Sequence, residues 1–182
     1  MKQRMQAAVT ALALVASMAC QAGIGPGDVP PDYLGHDRDG HDLRVSDLHG
    51  KVVIVSFWAS WCGYCRKELP VLAALQQLKG TPNLQVVGVN HDDDYAHYKD
   101  LTRRWKNLDV ILTYDAPDGH IGKPYKIDGL PFMVMIGRNG RIAHIHKGYG
   151  EESLETIMSE VDDLLAEPAP ATGAPTGNPA SS

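Results

Sequence analysis

The stretch from Lys51 to Cys65 limits the possible folds more than any other part of the chain. Lys51 to Trp58 is nearly all apolar and rich in β-branched residues. A run of that length reads as a central strand buried on both faces. It leads directly into Trp61-Cys62-Gly63-Tyr64-Cys65 and then into a helix-forming stretch that reaches Lys79. A strand that delivers two cysteines, three apart, to a helix start is a redox site by context. The first thiol lies at the positive end of the helix dipole, beside unpaired backbone N–H groups, where a thiolate is stabilised. A free cysteine titrates near pKa ~8.5, and CxxC examples fall to about 7 or lower. As a structural staple the pair contributes little, because the loop it closes is so short. A zinc half-site would need two more strong ligands, and none pairs obviously with the motif.

The rest of the chain supplies the parts of one α/β domain. Asp37-Arg38-Asp39-Gly40 reads as a hairpin turn, followed by a short strand through Leu43-Arg44-Val45. Ser46 is placed to cap one turn before Gly50. The helix over 63–79 contains Pro70 as a kink, with Leu69, Leu72, Leu75 and Leu78 expected to face the sheet. Leu84 to Asn90 is a second buried strand, which makes a β-α-β unit. Asp93 to Trp105 reads as an exposed helix, 110–113 as a short strand and 119–125 as a short helix or turn. Strands over 132–136 and 141–146 are joined by Gly137-Arg138-Asn139-Gly140. Residues 151–165 form a closing amphipathic helix, with Leu154, Ile157, Met158, Val161, Leu164 and Leu165 on one side.

Four segments are expected: a signal peptide over 1–22, a Gly/Pro linker over 23–31, the domain over 32–166 and a disordered Pro/Ala/Gly tail over 167–182. Lys2 and Arg4 precede an apolar, small-residue run from Ala7 to Ala19, the pattern of a secretory signal. Cleavage after Ala22 removes Cys20; cleavage after Ala19 leaves Cys20 as a first residue able to carry a lipid. Lipoprotein signals usually have Leu three residues before that cysteine, and Ser17 stands there. Membrane contact is expected only with a lipid at Cys20, since no apolar run reaches the roughly 18 residues of a membrane span. Export to an oxidising compartment makes disulfide chemistry relevant. The net charge of −5 gives no basic footprint for nucleic acid.

In order of parts the chain resembles a thioredoxin-like three-layer fold, a central mixed β-sheet flanked by helices, with a short N-terminal hairpin extension. More narrowly it resembles the exported TlpA/ResA-like thiol–disulfide oxidoreductases, from about Pro30 to Leu165. Leu48 to Cys62 looks like that family's entry to its active site, Cys65-Arg66-Lys67-Glu68-Leu69-Pro70 like its exit, and Gly129-Leu130-Pro131-Phe132 like its cis-proline loop. Gly63-Tyr64 replaces the Gly-Pro or Glu-Pro between the cysteines, so the direction of electron flow stays open. Ser56 stands where ordinary thioredoxins keep a buried aspartate, and Glu68 matches the glutamate that this family uses instead.

Cys62 is then the attacking thiol and Cys65 the resolving one. Glu68, one helical turn beyond Cys65, is placed to exchange its proton. The resemblance implies a cis Leu130–Pro131 bond, with Leu130 backbone groups offered to a substrate strand. Trp58 is expected in the core, Trp61 as an exposed apolar rim, and Tyr64 facing solvent where it could touch partners. The implied function is a periplasmic oxidoreductase that reduces disulfides of exported proteins, with no cofactor or resident metal. A membrane thiol donor supplies its electrons, and cytochrome c maturation is one pathway. Other readings of the same motif are a disulfide oxidase or isomerase, and a copper metallochaperone. His91-Asp92-Asp93-Asp94 reads as helix capping, and His144 with His146 as a solvated pair on one strand face; metal binding is the rival reading of each.

Overall fold

The computed structural model describes residues 23–116, 119–150 and 152–170. The expected signal peptide with Cys20, and the tail beyond residue 170, lie outside the described residues. The elements in chain order are β1 (Tyr33–His36), β2 (Asp42–Arg44), a 3-10 turn (Val45–Leu48), β3 (Val52–Trp58), α1 (Gly63–Lys79), β4 (Leu84–Asn90) and α2 (Tyr95–Arg104). Then come β5 (Ile111–Tyr114), a second 3-10 turn (Lys123–Tyr125), β6 (Phe132–Ile136), β7 (Ile142–Lys147) and α3 (Ser153–Ala166).

One seven-stranded sheet has the order β2-β1-β5-β4-β3-β6-β7. Strands β3, β4 and β5 run parallel, while β6 and β7 return antiparallel on one side and the β1–β2 hairpin extends the other. The sheet is therefore mixed, with β3 and β4 in its middle. Every residue of these two strands is buried, as strands covered on both faces must be.

Two apolar clusters sit on the two faces. All three helices contribute to one, which holds Trp58, Leu69, Leu72, Tyr98, Ile157 and Val161. The other face is roofed by the 3-10 turns and loops, through Val45, Leu48, Ile121 and Tyr125. Gly88 makes room for the first cluster. A Cβ there would meet Leu112 Cδ2 at 2.8 Å and the Trp58 indole nitrogen at 3.2 Å. Trp58 is fully buried and its ring lies 5.2 Å from that of Trp105.

Several local expectations are corrected. Leu78 does not face the sheet; it is 69% exposed, while Leu69 and Leu72 are buried. Nine residues at about 100° each carry Leu78 to the side opposite Leu69. Gln76 takes the buried position instead, accepting from Val86 N–H and donating to the Asp109 carbonyl. Ser46 is no cap: it lies inside the first 3-10 turn and donates its N–H and hydroxyl to Asp32. The stretch expected as a linker is pinned to β7, since Gly27 N–H donates to the Ile142 carbonyl and Ile142 N–H to that of Asp28. His144 and His146 are not merely solvated. Both reach the Glu160 carboxylate of α3, at 3.3 and 2.6 Å.

Candidate active site

The parallel centre of the sheet brings the cysteines to its C-terminal edge. β3 ends at Trp58, and the chain then turns through Ala59 to Trp61, with Cys62 N–H donating to the Ala59 carbonyl at 3.1 Å. Cys62 is the N-cap of α1 and its sulfur accepts from the Cys65 N–H at 3.1 Å. A sulfur held by a backbone donor at a helix start has its charged form favoured. The two cysteines form a disulfide with Cα atoms 5.3 Å apart. The bond is asymmetric in access: Cys62 is 5% exposed and Cys65 is fully buried. Cys62 is thus less open than an accessible nucleophile suggests, yet of the two cysteines it alone has any exposed surface.

One turn on, Glu68 is buried, with 1% of its surface exposed. Its Oε1 accepts from the Ser56 hydroxyl at 2.7 Å, and its Oε2 has no hydrogen-bond partner among the described residues. Burial penalises the carboxylate and the Ser56 bond only partly offsets this, so the pKa is raised to about 7. A carboxyl poised at that value can give or take a proton near neutrality. Another acid, Asp93, is held differently: Ser60 donates to it through both N–H and hydroxyl, at 2.6 and 2.7 Å.

The register places a second loop at the same edge. Phe57 pairs with Phe132, the first residue of β6, so the residues just before β6 lie beside those just after β3. The Leu130–Pro131 peptide bond is cis. Gly148 N–H holds the Pro131 carbonyl at 2.8 Å, while Leu130 precedes the β6 ladder. Trp61 and Tyr64 stand out from this edge, 62% and 61% exposed. The Trp61 indole N–H donates to the Asp92 carbonyl at 3.4 Å, and Lys67 Nζ lies 5.9 Å from the centre of the Tyr64 ring. A groove of about 410 Å³ runs from Tyr64 past Arg66, Lys67 and Pro70 to Tyr149.

The sequence reading thus brought together Cys62, Cys65 and Glu68 on one helix, with Leu130 and Pro131 at the same sheet edge. It missed Ser56 as the donor to Glu68 and Asp93 as the anchor of the cysteine turn. From the sequence, Ser56 stands only where ordinary thioredoxins keep a buried aspartate, which does not identify its partner. For Asp93 the signal was weaker still, since three aspartates in a row all suit a helix start; Asp94 alone is the cap, accepting from Ala96 and His97 N–H. As for metals, the three-residue His/Cys/Asp/Glu cluster found among the described residues is Asp37, Asp39 and His41 on the β1–β2 turn, and it includes no cysteine.

The chain is similar to known thiol–disulfide oxidoreductases. The ResA thiol–disulfide oxidoreductase of Geobacillus kaustophilus is 27% identical over 142 residues, covering 78% of this chain and 80% of that protein. ResA of Bacillus subtilis is 26% identical over 140 residues, covering 76% of each. A Chlorobium tepidum structure assigned to the thiol:disulfide interchange proteins DsbE superposes with a TM-score of 0.69 at 30% identity, covering 79% of this chain and 99% of that one. The Redoxin family profile matches residues 26–165. With that match spanning the sheet, the cysteine helix and the proline loop, the chain belongs to the Redoxin family, as a thioredoxin-fold thiol–disulfide oxidoreductase of the TlpA/ResA-like group.

Proposed function

We propose that this oxidoreductase works in the periplasm and reduces disulfides of exported proteins. The observation that carries the reading is Glu68: a buried carboxyl with a pKa near 7, one turn beyond the buried cysteine. In the reduced enzyme the Cys62 thiolate attacks a sulfur of the substrate disulfide. A mixed disulfide forms, and the first substrate thiolate leaves and takes a proton from solvent. Glu68 accepts the Cys65 proton, and the Cys65 thiolate attacks Cys62 Sγ. The enzyme disulfide closes, the second substrate thiolate leaves, and Glu68 returns a proton to it. Two electrons and two protons have then passed to the substrate. A membrane thiol donor restores the Cys62–Cys65 dithiol for the next cycle.

Pro131 shapes the wall against which the substrate strand lies, and Leu130 offers it backbone groups. Trp61 and Tyr64 supply an exposed aromatic rim for a protein partner. The N-terminal pattern over 1–22 supports export, and a lipid at Cys20 would tether the domain to a membrane. The domain then spans 32–166, with 167–182 as its tail. Apocytochrome cysteines are one class of substrate consistent with a reducing role.

The decisive variant is Cys65→Ser. It leaves a mixed disulfide unresolved, so a partner should accumulate covalently linked to Cys62 in cells, whereas Cys62→Ser should capture none and reduce no disulfide. Identical behaviour of the two variants contradicts the assigned roles. The second reading, an oxidase or isomerase, is left open by Gly63-Tyr64 between the cysteines. A reduction potential near about −270 mV supports the reductase, and one near about −120 mV the oxidase.

A further inference from the structure

The turn that carries Cys62 is fastened from outside its own helix. Asp93, just before the N-cap of α2, gathers donors from three directions. Its carboxylate accepts the Ser60 N–H at 2.6 Å, the Ser60 hydroxyl at 2.7 Å and the Asn90 side-chain amide at 2.6 Å. Its backbone carbonyl accepts the Tyr114 hydroxyl at 3.0 Å. Asn90 is fully buried at the end of β4, paired with Trp58 on one side and Tyr114 on the other. The ends of β3, β4 and β5 thus meet at one residue, through the Asp93 carboxylate and its backbone carbonyl. Two more bonds run parallel to it: His91 N–H to the Trp58 carbonyl at 2.9 Å, and Trp61 Nε1 to the Asp92 carbonyl at 3.4 Å.

The consequence falls on the sulfur two residues beyond Ser60. Residues 59–61 have no strand or helix ladder of their own. They are held by the Ala59–Cys62 bond, the Trp61 indole bond to Asp92 and, on the backbone N–H and side chain of Ser60, the two bonds to Asp93. That turn leads directly to Cys62, whose Sγ accepts from the Cys65 N–H at 3.1 Å. A backbone N–H bond to a thiolate favours the charged form only when well aligned.

We propose that Asp93 is a positioning residue for disulfide exchange: its carboxylate locks the Ser60–Trp61 turn and so keeps Cys62 Sγ at the N-terminus of α1. This rests on Cys62 being the attacking thiol. Asp93 touches no reacting atom; it acts through Ser60.

Positioning and plain charge give opposite signs, which makes the idea testable. Removing a negative charge near a thiol lowers its pKa and speeds its reaction. Loosening the turn raises that pKa and slows the reaction. Asp93→Ala, Asp93→Asn and Ser60→Ala would be compared with the wild type as whole reduced proteins. The readouts are the pH dependence of Cys62 labelling by iodoacetamide and the rate of insulin reduction. We expect Asp93→Ala to raise the Cys62 pKa and cut the insulin rate about tenfold at neutral pH. Ser60→Ala alters no charge and should move both readouts the same way by less, with Asp93→Asn in between. Should Asp93→Ala fail to fold, the other two variants still decide the sign. A lowered pKa in both Asp93 variants with no effect of Ser60→Ala overturns positioning in favour of charge. A reactive Cys62 indifferent to all three substitutions overturns the proposal alone. A wild-type Cys62 that does not react overturns the assignment beneath it as well.

Discussion

Two carboxylates serve the same turn of chain and are built in opposite ways. Glu68 is sunk in the core under one hydroxyl donor, with its second oxygen unpartnered among the described residues. Asp93 lies nearer the surface and accepts three hydrogen bonds on its carboxylate. Donors favour a carboxylate's charged form, and burial disfavours it. Glu68 is thereby tuned to move a proton near neutral pH, while the donors on Asp93 make it a strut. Burial sets the proton chemistry of Glu68, and hydrogen bonds to Ser60 and Asn90 tie Asp93 into the turn.

The sharpest way to break this contrast is Glu68→Gln. Loss of the proton acceptor should slow the resolving step by about 100-fold and remove the limb of the pH–rate profile near 7. Stopped-flow turnover from about pH 5 to about pH 9 checks it. An unchanged profile would return Glu68 to a structural role. The same variant has a thermodynamic signature. The folded-state pKa of Glu68 is raised from 4.5 to about 7, so between those values the unfolded chain has lost the proton while the native one keeps it. Stability therefore falls as pH rises through that window, and the cost is complete above it, on the order of 3 kcal/mol. Glu68→Gln should flatten that slope in denaturant titrations. The Asp93 variants come next, at about tenfold. Smallest is Ser56→Ala. The Ser56 bond lowers the Glu68 pKa, so its removal should push the pH limb upward and change the maximal rate by less than about tenfold. A downward move of the limb would contradict the role of Ser56 as donor to the carboxylate.

Local signals carried most of the fold. The span of α1, 63–79, could be read from the cysteine motif and the turn after Lys79, β4 from a largely apolar run and β6 from an unbroken one. The β1–β2 hairpin could be read from Asp37-Arg38-Asp39-Gly40. What local pattern could not supply was partnership. Leu78 has the residue type and spacing of a core position, but a strict three-residue step drifts around the helix until it faces water. His144 and His146 alternate correctly on β7, yet only the packing of α3 brings Glu160 between them. Residues 27–28 have linker composition and still bind β7, because an edge strand leaves donors and acceptors that any nearby backbone can use.

The site divides along the same line. Cys62 and Cys65 were legible because strand, motif and helix start are contiguous, and Glu68 because its place one turn along the same helix matches the glutamate of the resembled family. Ser56 is 12 residues away from its partner Glu68, and Ser60 is 33 away from Asp93. Neither pairing follows from any helical or strand period, since each depends on the sheet having formed.

Alkylation of the reduced protein tests the asymmetry of the two sulfurs most directly. Brief exposure to iodoacetamide near neutral pH, followed by peptide mapping, should label Cys62 well ahead of Cys65. Equal labelling, or labelling of Cys65 first, would contradict the division of labour between the outer and the buried sulfur.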